Sequence, residues 1–498
     1  MLNRIKQTIK HSIIYGFGNI STKIVGFILL PIYASHIPID EYGKLAILEA
    51  FGQLLIAVFS LRIPTAIMRW LAENKNENER KSIVFSGICL VLLSISFLFI
   101  GMYTTKSAIA DHLLGTPYLT NYIFILSITI SFSIFNQISF QLFRFFEKPV
   151  QYVLITVTRL LIVLSMSILL ILHYNYGILG VLISQMIGSI FVFCLSIPMV
   201  IKNSNFKISV KFTVEMFQYS WPLIFSTLSV MVLSIGDKFI LKKYCGFDEV
   251  GVYSLGYKIA SVINMFVIQP FETGYLPIAF KMCNSEDGPR FFSKILTYFS
   301  IALLLTIMII SFFSKELIIL LTNNPAYISA YSIIPVISFL FLTKGFQYVF
   351  SIGIHCAKKT KYNFFIVTIG TIINLTLNVI FIPIWGRFAA AFTSIFSGII
   401  IAVLYYIYAQ KYYPVQYEIS KIIKMIIISI GLLFLALYPI QIPLYLNILK
   451  KCVLLAIFPI ILFLFNFFEP IEILRLKQSW NKWKNPGSWI KNISRDRQ

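Results

Sequence analysis

Apolar runs of about twenty residues, separated by short polar stretches, recur along this chain almost from end to end. A helix needs about 20 predominantly apolar residues to cross the ~30 Å hydrocarbon core of a bilayer. The pattern therefore predicts an all-α polytopic membrane protein with about fourteen transmembrane helices. Six are expected near residues 12–36, 42–63, 83–103, 118–142, 150–173 and 177–201, followed by a polar link over 202–215. Six more are expected near 217–241, 250–280, 291–313, 326–355, 362–383 and 388–410. Two last spans, near 422–438 and 444–467, precede a basic tail.

Composition agrees with this reading. The chain is 58% hydrophobic and 12% charged, with a mean hydropathy of +0.82. Its 498 residues would otherwise suggest about three soluble domains. A net charge of +22 in a soluble protein would point to nucleic acid. Here the basic residues are dispersed among short loops and the tail, without a zinc-finger, recognition-helix or RNA-binding signature. Lys and Arg collect on the cytoplasmic side of membrane proteins, and placing the N-terminus there puts most of them inside. Both termini are then expected in the cytoplasm, which requires an even number of spans. No nucleic-acid partner is expected.

The six cysteines are scattered without C-x-x-C spacing, so neither a disulfide framework nor a metal site is expected. The first apolar segment is longer than a signal-peptide core and lacks a small-residue cleavage pattern, so it is expected to remain as the first span. Outer loops are too short for a soluble catalytic domain. Function is expected inside the bundle.

The chain also repeats itself. Glu41-Tyr42-Gly43-Lys44-Leu45 pairs with Glu249-Val250-Gly251-Val252-Tyr253, and Lys148 through Tyr152 pairs with Lys358 through Tyr362. Gly177 and Gly180 pair with Gly386 and Ala389, so all three anchors share an offset of about 208 to 210 positions. Two six-helix lobes in parallel repeat follow: an N-terminal lobe over 1–210 and a C-terminal lobe over 211–415. Two additional helices over 416–468 and a cytoplasmic tail over 469–498 complete the chain. The tail mixes Trp480, Trp483 and Trp489 with Lys477, Lys482, Lys484 and Lys491, which suits either an interfacial segment on the anionic inner leaflet or a disordered basic tail.

Gly18-Asn19, Lys23, Gly26-Phe27, Pro31 and Glu41-Tyr42-Gly43 resemble the first-helix signature of the polysaccharide flippases of the multidrug/oligosaccharidyl-lipid/polysaccharide exporter superfamily. The second lobe is similar in Trp221-Pro222, Asp237-Lys238-Phe239-Ile240-Leu241, Gly251-Val252-Tyr253-Ser254 and Tyr257-Lys258-Ile259-Ala260. The span holding Asn374 and Asn378, ending in Pro383 and followed by Gly386 and Ala389-Ala390-Ala391, agrees as well. Arg387-Phe388 departs from the family pattern, in which small or aliphatic residues precede the alanines. The resemblance covers the whole chain. It implies a Wzx-type carrier of undecaprenyl-pyrophosphate-linked oligosaccharide for O-antigen or other surface polysaccharide, in a bacterial cytoplasmic (inner) membrane and possessing no enzymatic activity. Partners would be the lipid-linked oligosaccharide, membrane lipids and polysaccharide assembly proteins.

A lipid-linked sugar carries an anionic pyrophosphate, so its passage calls for a cationic cavity between lobes that opens alternately to each side. Lys23, Arg159, Lys258 and Lys344 fall inside apolar spans, where a charge costs roughly 2.5 to 3.5 kcal/mol and faces protein, water or an anion. Lys23 and Lys258 are the first candidates for pyrophosphate contact, with Arg159 able to add bidentate recognition and Lys344 a mid-span candidate. The competing role for these residues is snorkelling or internal pairing. Asp237, Asn374, Asn378 and Thr393 would offer hard oxygen ligands to a coupling Na+ or H+, and Asn374 and Asn378 share a helix face at i and i+4. The amides would equally serve to join helices. No cofactor is expected. Rival readings are a cation-coupled small-molecule exporter of the same superfamily, a membrane glycan polymerase and a nonenzymatic scaffold.

Overall fold

The computed structural model describes residues 26–322, 324–440, 443–465 and 467. Among these the regular structure is helical throughout. A short apolar helix, α1 (Gly26–His36), comes first, and the expected beginning of its span at residue 12 lies outside the described residues. Among the described residues, twelve helices that are long and apolar enough to cross a membrane follow. In the N-terminal half they are α2 (Ile39–Glu73), α3 (Glu77–Thr104), α4 (Thr120–Phe145), α5 (Pro149–His173) and α6 (Gly177–Lys202). In the C-terminal half they are α7 (Val210–Cys245), α8 (Phe247–Met282), α9 (Gly288–Phe312), α10 (Ile334–Cys356) and the stretch Lys361–Tyr412. That stretch is two helices, α11 (361–385) and α12 (387–412), because Gly386 between them sits at φ 55° and ψ −133°. Helices α13 (Ile419–Leu437) and α14 (Leu444–Leu464) complete the set, and the total agrees with the expected number of about fourteen.

The repeat is visible in detail. Helices α2 and α8 begin at Ile39 and Phe247, and both are interrupted, α2 about two thirds of the way along and α8 near its middle. Short helices, Lys106–Leu114 and Ser314–Leu321, follow α3 and α9 at matching places. Gly177 (φ 50°) opens α6 as Gly386 (φ 55°) opens α12, and glycine adopts this left-handed conformation without the Cβ penalty. The lobes meet where α2 packs on α8 and α7, and α13 and α14 pack on α9.

Helix α2 runs ten residues beyond its expected end. Leu61 and Arg62 take left-handed conformations (φ 49° and 53°), which break the helix before it resumes at Ile63. Each costs about 1–2 kcal/mol for an L-residue. Ser94 Oγ of α3 donates to the Phe59 carbonyl at 2.8 Å, satisfying a group at the break. Further along, Arg69 pairs with Glu73 at 2.9 Å and stacks 4.5 Å from the Tyr219 ring, which lets the helix carry these charges past its expected end.

The cysteine expectation needs correction. Cys283 and Cys356 form a disulfide with Cα atoms 5.6 Å apart. They lie 73 residues apart, and only the packing of the α8 and α10 ends brings them together. Cys89, Cys194, Cys245 and Cys452 are free.

Candidate functional site

The charge rule expects the end of the bundle where α2 and α8 begin to lie on the outer side. There the two helices cross through a pair of glycines. A Cβ on Gly43 would overlap the Phe247 carbonyl, and one on Gly251 would overlap the Ile39 carbonyl. Around this contact the Tyr42 and Tyr327 rings meet edge to face at 6.0 Å. Thr322 Oγ1 donates to the Ala34 carbonyl at 2.7 Å, and the Tyr327 hydroxyl to the Ile37 carbonyl at 2.8 Å, fastening α1 to the C-terminal lobe. Lys242 Nζ reaches the His112 carbonyl at 2.6 Å across the lobes. This end of the bundle is closed.

Each repeat also holds its kinked glycine with a glutamate. Glu41 Oε2 lies 3.3 Å from where a Cβ on Gly177 would stand, and Glu249 Oε2 lies 3.5 Å from the corresponding point on Gly386. The unusual Arg387 binds Glu249 through Nη1 at 2.5 Å, so it completes the C-terminal corner.

Below the closure, α8 changes character. Its outer half, from Val250 to Ala260, is almost wholly buried, whereas Pro270, Thr273, Leu276, Pro277, Ile278 and Phe280 in its inner half are exposed. Lys258 sits between these regions. Its side chain crosses to the N-terminal lobe, with Cε 3.1 Å from the place of a Cβ on Gly26 and Nζ 5.5 Å from the Tyr33 ring centre. Glu49 of α2 is near enough for the two charges to interact, and it accepts a hydrogen bond from Gln185 Nε2 at 3.0 Å. Lys344 Nζ donates to the Tyr257 hydroxyl at 3.2 Å, so this lysine joins α10 to the residue preceding Lys258. Arg159 lies apart, within the N-terminal lobe, its stem packed against Gly188 of α6. Lys23 lies outside the described residues. The described lysines of the expected cationic set thus gather around α8, and the arginine does not join them.

The oxygen-bearing residues are brought into one buried network. Asn378 Nδ2 donates to Asn374 Oδ1 at 3.0 Å, and Thr393 Oγ1 donates to Asn378 Oδ1. Asn374 Nδ2 in turn reaches Ser397 Oγ at 3.2 Å and Ser394 Oγ at 3.4 Å. Asp237 joins from α7: its Oδ1 accepts from the Lys238 backbone N–H at 2.8 Å, and its Oδ2 accepts from the Tyr253 hydroxyl. Tyr253 is also within hydrogen-bonding reach of Ser394, which links the two arms. Asn374 and Asn378 are fully buried. Tyr253 and Ser394 were not anticipated as members of this group. Their signal in the sequence was a tyrosine in the motif following Gly251 and a serine one residue after Thr393. Among the described residues no group of three or more His, Cys, Asp or Glu could hold a metal ion, so any cation here would rest on amide, hydroxyl and single-carboxylate oxygens.

Comparison with known proteins places this geometry. The MatE family matches residues 222–380. An uncharacterized membrane protein of Methanocaldococcus jannaschii is 24% identical over 454 residues, covering 82% of this chain and 84% of the relative. Lsg locus putative protein 1 of Haemophilus influenzae is 23% identical over 277 residues, 54% of this chain and 65% of the relative. Among solved structures, the lipid II flippase MurJ in an inward closed conformation superposes with a TM-score of 0.75 at 19% identity, covering 92% of this chain and 100% of that one. An inward-facing multidrug resistance MATE family transporter of the MOP superfamily gives a TM-score of 0.65 at 12% identity, covering 82% and 95%. At such identities the structural likeness establishes the fold. The polysaccharide biosynthesis protein family matches residues 8–283, more than half of the chain. This chain belongs to the polysaccharide biosynthesis protein family.

Proposed function

We propose that the protein is a flippase that carries an undecaprenyl-pyrophosphate-linked oligosaccharide from the inner to the outer leaflet of a bacterial cytoplasmic membrane, with both termini inside. One observation carries the reading: Lys258 of one lobe reaches α1 of the other directly beneath a closed outer end. A pyrophosphate entering from the inner side would meet an ammonium group there, in a setting of reduced dielectric where a charge-assisted contact is strong. Lys23 would add to it from α1. Arg159 and Lys344 serve as secondary cationic contacts, met as the glycan and its anchor move past α5 and α10.

Alternating access then requires the Gly43 and Gly251 crossing to part and the inner ends to close. The reaction involves no bond making or breaking. Asp237, Asn374, Asn378 and Thr393 would bind the coupling Na+ or H+, and their position inside the C-terminal lobe would bias the packing of α7 against α11 and α12. O-antigen or a related surface polysaccharide is the proposed product line, and polysaccharide assembly proteins are the proposed partners. The MatE match over residues 222–380 favours a second reading, cation-coupled efflux of small molecules.

Reconstituted vesicles separate the two. Loaded with a short lipid-linked oligosaccharide, they should expose lectin-reactive sugar only when the protein is present. Efflux of a cationic dye without any lectin signal would favour the second reading and contradict the first.

A further inference from the structure

The Cys283 to Cys356 bond stands on a side of the membrane where disulfides are rare. Cys283 follows the last residue of α8 and Cys356 ends α10. The basic residues around them in sequence, Lys281, Arg290, Lys358, Lys359 and Lys361, lead the charge rule to expect this end in the cytoplasm. Disulfides there are usually transient and catalytic or redox-sensing. With Cα atoms 5.6 Å apart, the two cysteines can join without backbone movement. Both are partly exposed, so a small thiol reagent can reach them.

The bond pins a segment that its own helix holds weakly. Ser261 and a π-helical turn, Asn264–Ile268, separate Gln269–Met282 from the outer half of α8, and Pro270 and Pro277 each remove a helical hydrogen bond. One face of the segment rests on its lobe: Phe271 stacks on Phe299 at 3.6 Å, Tyr275 meets Phe292 edge to face at 6.4 Å, and Glu272 is within hydrogen-bonding reach of Tyr348 on α10. The opposite face, with Thr273, Leu276, Pro277 and Phe280, is exposed. Ring contacts and hydrogen bonds can part and reform as the inner ends close. A covalent bond cannot. We propose that Cys283 and Cys356 form a reversible redox latch, which when oxidised holds the inner half of α8 on α10 and stops the inner ends from closing, and when reduced releases it. The consequence for transport rests on the flippase reading. The oxidant is a low-molecular-weight disulfide such as glutathione disulfide: one cysteine thiolate attacks it and releases one glutathione thiol, and the second cysteine displaces the other, so two electrons and two protons pass from the cysteines to the glutathiones.

Hydrogen–deuterium exchange of the full chain in nanodiscs, after treatment with glutathione disulfide or reduced glutathione, reads the latch without any substrate. Oxidation should slow exchange within residues 264–282 by about tenfold or more and leave α3 unchanged. In vesicles, glycan exposure should fall by at least about fivefold on oxidation and return on reduction. Cys283→Ser and Cys356→Ser should match the reduced wild type and be insensitive to glutathione disulfide, whereas Cys194→Ser, at a free and exposed cysteine, should respond as the wild type does. Failure of glutathione disulfide to join the pair, read by peptide mass, would overturn the proposal. So would equal exchange in the two states, unchanged glycan exposure with the pair joined, or an equal response in Cys283→Ser. Slowed exchange in a protein that moves no glycan in either state would support the latch and contradict the flippase reading alone.

Discussion

The backbone carbonyl of Ile39 occupies the place where a side chain on Gly251 would stand, and the repeat returns the same relationship between Phe247 and Gly43. Two helix ends related by the duplication therefore seal the end that the charge rule expects on the outer side, by contact that only glycine allows. Overpacking of a tight contact costs about 1–3 kcal/mol. Gly251→Val should shift the protein toward an outer-open state and raise the reactivity of outer-side cysteine probes by about tenfold. Gly274→Ala, where a Cβ meets nothing within 4 Å, should leave that reactivity unchanged.

Lys451 Nζ lies 2.5 Å from Glu316 Oε1, and the lysine side chain is 4% exposed. This pair fastens α14 to the short helix after α9. Removing one member of a buried pair strands the other charge, at a cost of about 3–5 kcal/mol. Lys451→Met should accordingly lower the melting temperature in detergent. The double variant Lys451→Met with Glu316→Leu should recover most of the loss.

Length and apolarity made the helices legible in the sequence, because a span must satisfy the bilayer with local residues alone. The repeat was legible for a similar reason: the turns at Gly177 and Gly386 need positive φ at equivalent places. What escaped depended on distant partners. Lys451 lies inside a span, and Glu316, which pairs with it, is far upstream, so the pair was not legible. The Cys283 to Cys356 bond follows no short spacing rule. Helix α2 outruns its expected end at residue 63 because Glu73 and Tyr219 hold Arg69 on a helix. Of the expected site, Lys258 and the Asn374 to Asn378 pair could be selected by charge or helix face. The displacement of Arg159 from Lys258 was a matter of tertiary packing.

Glu418, at the start of α13, gives the protein a defined acid response. Burial alone would push its carboxyl up, yet hydrogen bonds from Lys421, Lys294 and Thr297 outweigh that and hold it down at about 2, against an ordinary 4.5. A depressed pKa stabilises the folded state above the unfolded value and loses that contribution as pH falls through the folded one. Wild-type stability should thus decline between about pH 4.5 and pH 2 by roughly 1 kcal/mol from this group, the scale for a solvent-screened pair. Glu418→Gln should remove that part of the decline in a melting series across the same window.

The buried amide network bears on coupling. Asn378→Ala removes both the donor to Asn374 and the acceptor of Thr393, and Asp237→Asn removes the carboxylate joined to the network through Tyr253. Either variant should still insert, and its transport in vesicles should lose dependence on an imposed Na+ or H+ gradient. Wild-type transport indifferent to both gradients would remove the proposed ion site.

Lys258 provides the most direct test of a cationic path between the lobes. Glycan exposure at the outer leaflet should be measured in vesicles carrying equal amounts of wild-type protein, Lys258→Arg and Lys258→Ala. The account predicts activity retained in Lys258→Arg and reduced at least about tenfold in Lys258→Ala, since a charge-assisted contact contributes roughly 1.5–3 kcal/mol. Full export by Lys258→Ala at normal membrane insertion would contradict it.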